Sequence, residues 1–140
     1  MANLVKVNPE NTFAGNLNTL INQSSLIEIL IGKLPIYRNN ISSRLKGIEI
    51  GMAHGYFLIG PFATLGPVRT SQIINLSSCL SAFALILILG LALKLYGIVL
   101  FTNKNQTGIS ISEKDYNKFV AGFIFGAFGG NFLSFLLLNI

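Results

Sequence analysis

Leu45-Lys46-Gly47-Ile48-Glu49-Ile50-Gly51-Met52-Ala53-His54-Gly55-Tyr56-Phe57-Leu58-Ile59-Gly60-Pro61-Phe62 is the stretch on which the reading of this chain turns. It is mostly apolar, yet it holds a carboxylate and the only histidine of the sequence. Continued to Leu65, it reaches the roughly twenty residues that a 30 Å hydrocarbon core requires of a helix. Glycine recurs at 47, 51 and 55. Such a repeat bares one helix face, so that a neighbouring helix or a flat ring can approach closely. An ionisable side chain inside a membrane span is expensive and marks function.

Two further apolar segments follow. One lies within Ile73 to Phe101, and its centre, Ala82 to Leu93, carries no polar group. The other runs from about Phe119 to Leu138 without a charge, with glycines at 122, 126, 129 and 130. Pro61 and Pro67, each preceded by Gly, mark the far end of the first segment. The expected fold is an all-α membrane protein with three transmembrane helices at about 45–65, 76–101 and 119–138. Residues 1–44 form a polar N-terminal segment ahead of this 45–140 domain. Residues 1–24 read as extended or irregular, since Asn, Pro9 and Gly15 interrupt any helical period. Ser25-Leu26-Ile27-Glu28 has the form of a capping box, which predicts a short helix to Lys33 that Pro35 ends. It is far too short to span and is expected to lie on the membrane surface as an interfacial helix.

Composition supports this class. Of 140 residues, 51% are hydrophobic and only 11% charged, against roughly 25% charged in an ordinary soluble domain. Intrinsic disorder needs the opposite balance. A single cysteine, Cys79, excludes an intrachain disulfide framework. The net charge of +5 does not point to nucleic acid, because Lys33, Arg38, Arg44 and Lys46 gather just before the first apolar segment. Lys104, Lys114 and Lys118 lie between the second and third, and Arg69 alone lies between the first and second. The positive-inside rule then places the N-terminus on the cytoplasm-equivalent side and the C-terminus on the other. Residues 1–18 are polar and Asn-rich rather than signal-like. If the protein lives in an organelle, the expectation is that it is made there or has been processed.

Glu49 and His54 are the candidate site residues. Five residues apart on a helix, they point about 140° apart and are offset by about 7.5 Å along the axis. One metal ion cannot readily take both, since ligands shared along one helix sit three or four residues apart. A structural zinc site, with four protein ligands, is not expected. A flat cofactor that brings its own equatorial nitrogens needs only one axial ligand: His for a haem iron, or His nitrogen or a carboxylate oxygen for a chlorophyll magnesium. The alternatives are a hydrogen-bonded interfacial histidine and a snorkelled ion pair of Glu49 with Lys46 or a partner's cation. No Ser-His-Asp spacing is identifiable, and neither Gly60-Pro61 nor Gly66-Pro67 leads into a phosphate loop. Asn-x-Ser/Thr at Asn22, Asn40, Asn75 and Asn105 is expected by chance in an Asn-rich chain. Cys79 reads as a small buried side chain, and Lys94 as one that snorkels to the interface.

The run from Gly47 to Phe62, followed by Leu65-Gly66-Pro67-Val68-Arg69, closely resembles the signature of the photosystem I reaction-centre subunit XI (L subunit) family. Leu34-Pro35-Ile36-Tyr37-Arg38 upstream, and Phe119 to Phe123 and Gly126 to Gly130 downstream, extend the resemblance over nearly the whole chain. It implies a non-catalytic three-helix thylakoid protein with a stromal N-terminus, binding chlorophyll a and beta-carotene at the edge of the photosystem I core. The family's axial ligands to chlorophyll magnesium in this motif carry over onto Glu49 and His54. Implied partners are the large core subunits, the small membrane subunits, antenna proteins and membrane lipids, with no nucleic acid. The Asn and Ile bias suits a plastid-encoded copy of red-lineage type, in a chloroplast thylakoid rather than a cyanobacterial one. Three positions depart from trimer-forming relatives: Thr70 stands where they offer an acid, the tail Leu136-Leu137-Leu138-Asn139-Ile140 lacks their acid and aromatic, and Asn16 stands where His is frequent. A trimer joined through this chain is therefore not expected. The rival reading is a small haem-binding or transport subunit of another membrane complex.

Overall fold

Among the described residues, serine opens three of the four helices, and in each case its hydroxyl accepts a hydrogen bond from a backbone N–H three residues on. That bond satisfies one of the donors a helix start leaves unpaired. The computed structural model describes residues 6–7, 17–18, 24–38, 40–102 and 111–140. Lys104, Asn16, and the Asn-x-Ser/Thr motifs at Asn22 and Asn105 lie outside these or begin outside them.

The chain divides into two units, residues 1–39 and 40–140. In the first, β1 (Lys6–Val7) pairs antiparallel with β2 (Leu17–Asn18), with Lys6 opposite Asn18 and Val7 opposite Leu17. Beyond this two-residue ladder the described chain is helical. Helix α1 (Ser25–Lys33) is capped by Ser24, not Ser25: the Ser24 hydroxyl accepts from the Ile27 N–H at 3.4 Å. The cap thus falls one residue before the expected Ser25, and the residue three on from it, Ile27, has no carboxylate to return the bond, so a simple serine cap stands in place of the expected capping box. Leu26, Ile29 and Leu30 of α1 are exposed.

The second unit is a bundle of α2 (Ser43–Leu65), α3 (Ile74–Thr102) and α4 (Glu113–Leu137). Helix α2 starts two residues before the expected Leu45, at the Ser42 cap, and runs through Pro61 to end at Gly66, whose N–H reaches the Phe62 carbonyl. Helix α4 starts six residues before Phe119. Ser112 caps it, and Glu113 and Asp115 occupy its first turn, where negative charge complements the helix dipole. Apolar content alone had marked only the part that follows this polar first turn.

Among the described residues, two helices, α3 and α4, are long and apolar enough to cross a membrane. At 23 residues α2 has the length, but Lys46, Glu49, His54 and its glycines dilute its apolar content. The third span is therefore not marked by composition.

Helices α2 and α4 share the most extensive contact of the bundle and run parallel. Methyl groups built on Gly47, Gly51 and Gly55 would strike the carbonyl oxygens of Phe119, Phe123 and Ala127. Methyls on Gly122, Gly126 and Gly130 would strike those of Arg44, Ile48 and Met52. The two glycine rows thus fit reciprocally, backbone against backbone. Helix α3 runs antiparallel to α4. From one end to the other, Asn75 donates to the Leu138 carbonyl, Asn131 to the Cys79 carbonyl, the Tyr116 hydroxyl to the Leu93 carbonyl, and Lys94 to Asn117.

Candidate functional site

The glycine rows decide which faces of α2 remain open. Gly47, Gly51 and Gly55 are buried against α4. They serve helix packing and leave no room for a flat ring, as do Gly122, Gly126 and Gly130. Any group held by α2 must use its remaining circumference.

His54 stands at the edge of that contact and is exposed. By helical spacing it lies about 60° from the middle of the glycine row. Its ring meets Phe123 of α4 edge-on, with centroids 5.5 Å apart and planes at 65°. Nδ1 lies 2.8 Å from the Ile50 carbonyl oxygen one turn earlier. A carbonyl can only accept, so Nδ1 carries the proton and donates. In the neutral form of such a ring the lone pair lies on Nε2. A second hydrogen bond of this kind is how proteins fix the tautomer and orientation of a ligating histidine.

Glu49 is half-buried and lies on the side of α2 turned about 160° from the glycine row. One turn further along this face is Ala53, small and exposed. The structure does not bring Glu49 and His54 together. Their side chains leave α2 in different directions and at different heights along it. Among the described residues, no three His, Cys, Asp or Glu side chains gather as a metal-binding group. The donors therefore fit a group that supplies most of its own coordination and asks one ligand of the chain.

Among the described residues, the buried polar side chains lie elsewhere, on α3 and α4. Asn131 is fully buried and donates to the Cys79 carbonyl at 3.0 Å, with Sγ at 3.5 Å, while its Oδ1 has no hydrogen-bond partner. Ser78 and Ser134 are buried nearby in sequence, and the Ser78 hydroxyl turns back onto the Ile74 carbonyl at 2.7 Å. Burial raises the demand for such pairing in an apolar bundle. Asn131 is not among the residues that the sequence singled out. A lone amide inside an uncharged apolar helix was the available signal for a tie between helices. Cys79 is buried as expected, and Lys94 reaches Asn117 at 3.1 Å.

A family model described as photosystem I reaction centre subunit XI matches residues 4–140. Among curated relatives, the protein of Cyanidioschyzon merolae (strain NIES-3377 / 10D) is 46% identical over 140 residues, covering 100% of this chain and 99% of its own. That of Porphyra purpurea is 44% identical over 138 residues, covering 99% and 90%. That of Thermosynechococcus vestitus (strain NIES-2133 / IAM M-273 / BP-1) is 43% identical over 137 residues, covering 97% and 88%. All three bear the name photosystem I reaction center subunit XI.

Proposed function

Because the chain belongs to the photosystem I reaction centre subunit XI family, we propose that it is a non-catalytic thylakoid subunit that holds chlorophyll a and beta-carotene in the photosystem I antenna and docks neighbouring subunits. The observation that carries this reading is the His54 ring: Nδ1 tied to its own helix, Nε2 free to accept a metal, on an exposed face. His54 would hold one chlorophyll magnesium through Nε2, and Glu49 another through a carboxylate oxygen. A bound chlorophyll supplies light absorption and excitation transfer; the chain's part is to fix position and orientation. Two ligands on one helix at different heights and azimuths hold two rings apart at a set spacing. Magnesium is a hard ion and accepts oxygen, and its charge offsets the burial of the Glu49 carboxylate.

The third span rests on packing. Helix α2 lies parallel to α4 with Gly47 to Gly55 level with Phe119 to Ala127. If α4 crosses the bilayer, α2 crosses beside it, about 35 Å long. Glu49 and His54 then lie within the hydrocarbon. The distribution of basic residues favours a stromal N-terminus and a lumenal C-terminus. Protease added to intact thylakoids should trim residues before Leu45 and within 102–118; protection of both would reverse the orientation.

Trimer contact through this chain is not part of the proposal. Thr70 is exposed and offers a neutral hydroxyl where the resembled trimer-forming relatives have an acid, and calcium needs several oxygens with carboxylate charge. Native mass measurement of the mildly solubilised complex should find monomers. A dominant three-fold particle with this subunit at the axis would refute that.

The direct test of pigment holding is His54→Leu in the assembled complex. Chlorophyll content should fall while the subunit stays in place. Unchanged pigment content and spectrum would leave His54 as an interfacial histidine only.

A further inference from the structure

An open groove of about 700 Å³ lies where α2 and α4 begin, lined by Arg44, Glu113, Lys114, Asn117, Lys118 and Ala121. We propose that it seats the headgroup of an anionic membrane lipid, whose acyl chain runs down α4. Arg44, Lys114 and Lys118 come from two helices and outnumber the one acid, Glu113. Lys118 is shared with Asp115 at 3.0 Å, while Lys94 adds a charge by donating to Asn117.

The occupant is argued from what adjoins the groove. Lys114, Lys118, Ala121, Phe125 and Phe132 are all exposed, with Phe125 at 74% and Phe132 at 54%. Their spacings of four, three, four and seven residues keep them on one face of α4. Gly129 lies close to this stripe with open space beside it. The stripe is basic for its first turn and apolar thereafter, so charge and apolar surface change over along a single line. An amphiphile with an anionic head and a hydrocarbon tail matches both parts. An acidic protein segment would match only the first. Basic pockets between helices at a membrane surface attract anionic headgroups. This inference rests on the membrane reading above.

The test uses the complete complex in nanodiscs with two lipids that carry the same photoreactive acyl chain, one with an anionic phosphoglycerol head and one with phosphocholine. The anionic lipid should label the peptide spanning 121–132 at least tenfold more, since each cation near an anionic membrane surface contributes about a fivefold preference. The pair Arg44→Gln and Lys114→Gln should bring labelling down to the phosphocholine level. Millimolar inorganic phosphate should leave it unchanged. Equal labelling by the two lipids overturns the proposal. So does competition by inorganic phosphate, which would mean a free-anion site. A photoreactive amino acid at Phe125 that captures another polypeptide overturns it in favour of a partner subunit. Absence of the chain from the purified membrane complex would instead sink the membrane reading, and is seen before any lipid is added.

Discussion

Gly51→Leu should remove this subunit from the assembled complex. A side chain at position 51 would strike the Phe123 carbonyl oxygen, and the Ala127 nitrogen stands directly behind. These are backbone atoms of α4, so no rotamer change relieves the clash and the helices must part. Overpacking typically costs about 1–3 kcal/mol even where side chains can adjust. Parting α2 from α4 also breaks the contacts at Gly47, Gly55, Gly122, Gly126 and Gly130, because the rows interlock. Gly60 and Gly129 have nothing within 4 Å of an added methyl, so Gly60→Ala and Gly129→Ala should assemble normally. Quantifying the subunit in purified complexes checks all three. Normal assembly of Gly51→Leu would mean that α2 and α4 do not meet face to face.

His54→Leu should have the second large effect, with a different signature. His54 is exposed and meets its own Ile50 carbonyl and the edge of Phe123. Leucine keeps the apolar bulk, so the bundle should assemble. The chlorophyll that His54 holds should be lost or shifted onto a water ligand, with a change in the antenna absorption bands. Glu49→Gln should behave alike at the other site: the amide keeps the shape but loses the negative charge that favours magnesium, so that pigment should be held more weakly. The two effects should add, because the side chains lie about 140° apart on α2 and are offset by about 7.5 Å along it. Pigment counts per complex for the single and double variants provide the check. Loss of the whole subunit from His54→Leu would mean that the histidine's role is packing.

The three long helices were legible because each carries an extended apolar run between polar linkers. Their starts were less so. Helix α4 opens with the charged turn Glu113-Lys114-Asp115, which hydropathy assigns to a loop although Ser112 and the helix dipole favour helix there. Pro61 was expected near the far end of the first span, and it lies in the last turns of α2, which ends at Leu65. Glu49 and His54 stood out as the ionisable groups of an apolar stretch, and their separate faces followed from spacing alone. The role of the glycines did not follow. A repeat of four bares a face equally for a helix or for a ring, and only the register of Gly47, Gly51 and Gly55 against Phe119, Phe123 and Ala127 chooses between them. The Ile50 tie to Nδ1 depends on a ring rotamer, which no sequence pattern fixes.

The account stands most directly on the position of a metal relative to the His54 ring. An experimental density map of the intact complex would measure it. The account predicts a chlorophyll magnesium within about 2.5 Å of Nε2, a generous limit for a magnesium bond, with Nδ1 still on the Ile50 carbonyl. A map in which Nε2 meets only protein, lipid or water, with no macrocycle over the ring, would contradict it.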